Sequence, residues 1–171
     1  RSLFRTLSQH VLSPAKIVTE MNNSISDNNE SNMFVTLIVG ILDLETGILK
    51  LCNAGHNPPI LIYPDGQVSY LEFKTQIFVG VVEDFKYSDE EVVLEKESKL
   101  FLYTDGVTEA ENINKELYGE EKLLEMLSDN ASSDVRTTVN VVVDSIASHV
   151  KEAEASDDLT ILLIQYEPGT A

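Results

Sequence analysis

Apolar positions along the chain switch between a helical period and strand-like runs. Leu3, Phe4, Leu7 and Val11 carry helical spacing over residues 2–11. Ser13-Pro14 matches a helix N-cap followed by proline at the first helical position. Ile17, Val18, Met21 and Ile25 continue that second helix until the polar stretch SDNNESN ends it. MFVTLIVGILDL, residues 33–44, is apolar and β-branched and predicts a strand buried on both faces. Glu45-Thr46-Gly47 makes a turn, and residues 48–54 pair back as a hairpin. Residues 59–63 and 67–71 form a second hairpin around Pro64-Asp65-Gly66. Two more strands, 91–94 and 100–104, flank the charged turn EKESK. A loop over 106–117 precedes a short helix, 120–127, with Leu123, Leu124 and Leu127 on one face. A longer helix, 135–150, is striped by Val135, Val139, Val142, Ile146 and Val150. Residues 159–165 close the chain as a last apolar strand.

Strands arriving as consecutive hairpins predict antiparallel sheets. An antiparallel sheet with one wet face alternates apolar and polar residues, yet several of these strands are apolar on both faces. Both faces therefore need cover. Two antiparallel sheets stacked as a β-sandwich, with helices outside each, supply it. The expected class is α+β, a four-layer αββα arrangement.

Composition narrows the picture. With 171 residues, 43% hydrophobic and 24% charged, the chain has the size and make-up of one globular domain. It carries 29 acidic against 12 basic residues, a formal charge of −17. That charge repels phosphate backbones and anionic lipid, which argues against nucleic acid and membrane as partners. The same charge suits a divalent cation wherever carboxylates converge. The lone cysteine, Cys52, sits in an apolar stretch and reads as a buried structural thiol. A single thiol makes no internal disulfide, which predicts a reducing compartment such as the cytoplasm. No apolar run reaches transmembrane length and no signal peptide leads the chain. The sequence opens at Arg1 rather than methionine, as a piece of a longer protein would.

In KLFLYTDGVTEA, an apolar strand stops at Thr104 and is followed at once by Asp105 and Gly106. Glycine lets the backbone turn sharply, and a strand end is a rigid mount for a functional group. Asp157 and Asp158 stand just before the last apolar strand. If the two strands are antiparallel neighbours, the end of one lies beside the start of the other, and Asp105 and Asp157 share one rim. Clustered carboxylates raise one another's pKa unless a cation neutralises them, and an all-oxygen set suits Mg²⁺ or Mn²⁺. The three histidines and one cysteine show no zinc-like spacing. A structural reading stays open beside this one: Asp-Gly is a common turn, and aspartate before a strand is a common cap. His56, in CNAGHNPP, reads as a turn histidine. Glu109 and Glu111 follow Asp105 closely and either reach the same rim or form a solvated loop face.

NAGHNPP, YTDGVTEA and SDDLT, in that order, resemble the bacterial PPM-type (PP2C-like) serine/threonine protein phosphatases of the SpoIIE and RsbU group. The LDLETG and YGEEKL segments are similar to further motifs of that family. The resemblance covers nearly the whole chain. It implies a β-sandwich of two antiparallel sheets flanked by helices. It also implies two Mn²⁺ or Mg²⁺ ions whose shared water attacks the phosphorus of phosphoserine or phosphothreonine in line. In this family Asp105 would be a metal ligand, as would Asp157, with Asp158 the lesser of that pair; His56 and Glu109 would be accessory. By the same resemblance the substrate is a phosphorylated STAS-type anti-sigma-factor antagonist in a partner-switching pathway. An upstream sensor domain and a homodimer are implied in the parent protein.

Three departures qualify this. The family's third metal aspartate, in an upstream GDVxGxG-like strand, has no counterpart here, so weak metal binding and low activity of these residues alone are expected. The sequence thus reads as a single phosphatase domain over 1–171 lacking its N-terminal strands. His56 stands where many eukaryotic relatives carry an aspartate able to hold a third metal. The family's LPLG reads Phe78-Val79-Gly80. The alternative is a degenerate phosphatase domain that acts as a regulatory binding module. A receiver domain fails on order, because its acidic pair follows the first strand of an alternating βα pattern.

Overall fold

The computed structural model describes residues 2–8, 12–27, 29, 33–153 and 157–169. Val11 of the first helical pattern, most of the SDNNESN stretch, and Ala155-Ser156 ahead of the last strand lie outside them. The chain forms two compact units, the first from residues 1–56, 72–94 and 168–171, the second from 57–71 and 95–167.

The first unit holds helices α1 (Ser2–Leu7) and α2 (Pro14–Ser26) and a three-stranded antiparallel sheet of β1 (Leu37–Leu42), β2 (Ile48–Ala54) and β5 (Glu90–Val93). Its strand order is β1-β2-β5. Ser13 caps α2 as expected, its Oγ accepting the Lys16 N–H at 3.2 Å. The same hydroxyl donates to Asp89 at 2.6 Å, and the other Asp89 oxygen takes the Ala15 N–H. Ala15, Ile17 and Val18 of α2 pack with Val39, Cys52, Ala54, Val79 and Tyr87 as this unit's core.

The second unit holds β3 (Ile60–Ile62), β4 (Val68–Tyr70), β6 (Lys99–Tyr103) and β7 (Ile161–Gln165), with helices α3 (Glu120–Asp129) and α4 (Val135–Val150). Its sheet is antiparallel in the order β4-β3-β6-β7. Asp134 caps α4 by accepting the Thr137 N–H at 3.0 Å. The predicted stripe of α4 faces the core: Val142 and Ile146 are buried among Ile60, Phe101, Tyr103, Leu123, Leu127 and Leu163, and Val135, Val139 and Val150 pack against them. Both sheets are antiparallel and helix-flanked, as expected.

Two expectations need correction. Residues 33–44 do not form one strand buried on both faces. Only 37–42 are strand, five of those six residues are not fully buried, and Met33, Phe34 and Val35 are exposed. The cause is a different pairing: Val35 bridges Val79, and Phe34 stacks on Phe78 with ring centroids 5.2 Å apart. The strands on either side of EKESK also do not pair as a hairpin. β5 hydrogen-bonds to β2 and β6 to β3 and β7, so the charged turn carries the chain from one sheet to the other.

Candidate metal centre

The second-unit sheet builds the site. β6 and β7 run antiparallel with Lys99 opposite Gln165 and Tyr103 opposite Ile161. Extending that register by one residue sets Thr104 opposite Thr160, with Asp105 just past the end of one strand and Asp157 and Asp158 just before the start of the other. Backbone bonds hold the rim. The Thr104 N–H donates to the Thr160 carbonyl at 3.1 Å. The chain then tightens into a single 3₁₀ turn, Asp105–Val107, where the Val107 N–H donates to the Thr104 carbonyl at 3.0 Å and the Glu109 N–H to the Asp105 carbonyl at 2.8 Å.

Gly106 is buried and meets the other strand closely. A Cβ built there would lie 2.5 Å from the Asp158 carbonyl oxygen and 3.6 Å from the Asp157 Cβ. The DG turn and the DD segment are therefore in direct contact, a closeness that only glycine permits. Asp105, Asp157 and Asp158 are all exposed on this rim. One oxygen of Asp105 accepts the Gly106 N–H at 3.1 Å, and one oxygen of Asp157 accepts the Asp158 N–H at 2.7 Å. These bonds orient each carboxylate from its own backbone.

Below the rim the mount is rigid. Tyr103, which ends β6, is 3% exposed, and burial raises its phenol well above the ordinary value. Phe101 and Tyr103 pack with ring centroids 5.8 Å apart.

The accessory residues are placed differently. Glu109 is exposed one turn beyond Asp105. Glu111 pairs with Lys115 at 2.7 Å, in a loop closed by its bridge to Leu117. His56 belongs to the first unit, in the bend after β2. There the buried Asn53 accepts the His56 N–H at 2.8 Å and donates to the His56 carbonyl at 2.9 Å. Gly55 has φ +74, and a side chain there would collide with the Phe78 ring. Cys52 is buried, and burial pushes its thiol up to about 12, so it stays an unreactive thiol at neutral pH.

The donor set fits a hard divalent cation in kind. It consists of carboxylate oxygens on a solvent-facing rim, without sulfur or imidazole in the same unit's rim, and Mg²⁺ and Mn²⁺ keep several waters beside few carboxylates. In number it is small: among the described residues no group of three or more His, Cys, Asp or Glu side chains converges as a metal cage.

Asn53 and Gly55 suit a bend by sequence, and Asn53 does brace the His56 bend; Thr104, and Gly106 as a packing residue, were passed over. Thr104 and Gly106 lie inside the YTDG motif, but their partners are more than fifty residues away in sequence.

The chain is similar to known proteins in sequence and fold. The chain is 26% identical over 157 residues to Protein IcfG of Synechocystis sp., covering 87% of this chain and 24% of that protein. It is 23% identical to phosphoserine phosphatase RsbU of Bacillus subtilis, covering 94% of this chain and 47% of RsbU. The chain thus spans less than half the length of these relatives. Among solved structures, the SiaA-PP2C domain of Pseudomonas aeruginosa superposes with a TM-score of 0.81 at 20% identity, over 97% of this chain and 68% of that one. That likeness shows the PP2C fold. The family model for stage II sporulation protein E (SpoIIE) matches residues 1–167, and the chain belongs to the SpoIIE family.

Proposed function

We propose that the protein is a divalent-metal-dependent serine/threonine protein phosphatase acting in the cytoplasm on a phosphorylated STAS-type anti-sigma-factor antagonist. The observation that carries this reading is the shared rim, where the DG turn after β6 touches the DD segment before β7 in a member of the SpoIIE family. The similarity to a phosphoserine phosphatase supports the reaction class.

On this reading Asp105 and Asp157 are the principal metal ligands and Asp158 the lesser one, with Glu109 accessory. Mn²⁺ or Mg²⁺ held there would supply an acidified water and offset the charge of the phosphoryl group. The chain's own part is to hold the carboxylates. β6 and β7 fix the two backbones, the N–H bonds from Gly106 and Asp158 aim one oxygen of each aspartate, and the exposed rim leaves room for a phosphoprotein segment. The small donor set predicts weak metal affinity, so activity should need millimolar Mn²⁺.

The test is phosphate release from a phosphoserine-bearing STAS protein at millimolar Mn²⁺. Asp105→Asn and Asp157→Asn should each lower the rate by at least roughly a hundredfold, a loss of about 2.7 kcal/mol in barrier stabilisation. Full activity in the double variant, or no release by the wild type, contradicts the proposal.

A further inference from the structure

One side chain at the rim does the work of a backbone carbonyl. In a regular antiparallel ladder Thr104 and Thr160 would exchange both of their backbone bonds. Only one is made in that form, from the Thr104 N–H to the Thr160 carbonyl at 3.1 Å. The Thr104 carbonyl is already taken by the Val107 N–H at 3.0 Å, the bond that opens the 3₁₀ turn at Asp105. The Thr160 N–H instead donates to the Thr104 Oγ1 at 3.1 Å. That hydroxyl spends its own hydrogen on the Asp158 carbonyl at 3.2 Å. A hydroxyl has one donor and can still accept, so a single side chain satisfies both groups.

We infer that Thr104 is a positioning residue of the candidate metal centre: its hydroxyl stands in for its carbonyl in the β6–β7 ladder. It thereby lets β6 turn at Asp105 while holding the Asp157-Asp158 segment against that turn. The inference rests, for its functional meaning, on the reading of the rim as a metal centre. In this structure the Thr104 carbonyl closes the 3₁₀ turn and the hydroxyl, not the carbonyl, takes the Thr160 N–H. A side chain without a hydroxyl would leave the Thr160 N–H and the Asp158 carbonyl to solvent and free the DD segment to drift. Gly106 completes the device, because its missing side chain allows the Asp158 carbonyl to come that close.

Thr104→Val keeps the shape and deletes both bonds, Thr104→Ala deletes them with less bulk, and Thr104→Ser keeps them. Two readouts on the full chain are compared: amide hydrogen exchange at Thr160, and Mn²⁺ affinity by titration. In Thr104→Val and Thr104→Ala, Thr160 exchange should rise and Mn²⁺ affinity fall, each by about tenfold, as expected for two solvent-facing hydrogen bonds. Amides of Leu100 and Ile164, a hydrogen-bonded pair deeper in the same ladder, should hold their wild-type protection, and Thr104→Ser should restore both readouts. Wild-type exchange at Thr160 in the valine and alanine variants overturns the inference. So does faster exchange with undiminished Mn²⁺ affinity, or a serine variant as impaired as valine. A wild type that binds no Mn²⁺, with Thr160 exchange shifted as described, would leave the hydroxyl's place in the ladder standing and sink the metal-centre reading instead.

Discussion

Single atoms decide how near the carboxylates come to each other. At Gly106 the limiting contact is the 2.5 Å that separates a built Cβ from the Asp158 carbonyl oxygen. Backbone oxygen cannot rotate away as a flexible side chain could, so the DD segment must move as a whole. Gly106→Ala should therefore cost about 1–3 kcal/mol, the usual range for overpacking, and should weaken Mn²⁺ binding through displaced ligands. Urea unfolding and a metal titration on the same sample check this; wild-type values in both would show that the rim tolerates a wider gap. Gly55 is limited differently. Its φ of +74 and the Phe78 ring both exclude a side chain, so that bend is shaped by conformation as well as by space.

A buried cation ties the connection between the second-unit helices to the sheet, beside their apolar packing. Lys99, 6% exposed in β6, donates its ammonium to the Ala131 carbonyl at 2.7 Å and the Ser133 carbonyl at 2.5 Å. Burial lowers its pKa, while Asp134 acts in the opposite sense. The two carbonyls lie in the connection between α3 and α4, which has no ladder to satisfy it. Lys99→Met would remove both bonds and part of the desolvation cost together. The expected net loss is about 1–3 kcal/mol, read from urea unfolding, because two carbonyls lose their donors. An unchanged midpoint would mean that water replaces the ammonium without penalty.

Elements also show what could be read from the chain. α4 was legible to the residue, since its apolar stripe is a local signal. The hairpins β1-β2 and β3-β4 were legible for the same reason. EKESK was not, because a charged turn reads the same whether the next strand stays in the sheet or leaves it. The shared rim of Asp105 and Asp157 was conditional on β6 and β7 being antiparallel neighbours, and the structure meets that condition. Thr104 and Asn22 were not anticipated. Asn22, fully buried, accepts the Gly80 N–H at 2.9 Å and donates to the Val82 carbonyl at 2.8 Å, bonds to a segment 58 to 60 residues away. A polar side chain whose partners are that distant leaves no periodic trace.

At the scale of the whole molecule, charge sets the conditions for chemistry. A chain of −17 repels a phosphoprotein as well as nucleic acid, so binding a phosphoryl group needs positive charge supplied at the site. The same field draws divalent cations toward the rim. Among the described residues no helix is long and apolar enough to cross a membrane. Membership of the SpoIIE family and the PP2C fold give the rim its chemical context, and the carboxylates give it a testable one. The most direct measurement is a calorimetric titration of the chain with Mn²⁺, beside the double variant Asp105→Asn, Asp157→Asn. The account predicts a binding isotherm for the wild type that the double variant loses while keeping its circular dichroism. Matching isotherms in the two proteins, or none in the wild type, would contradict it.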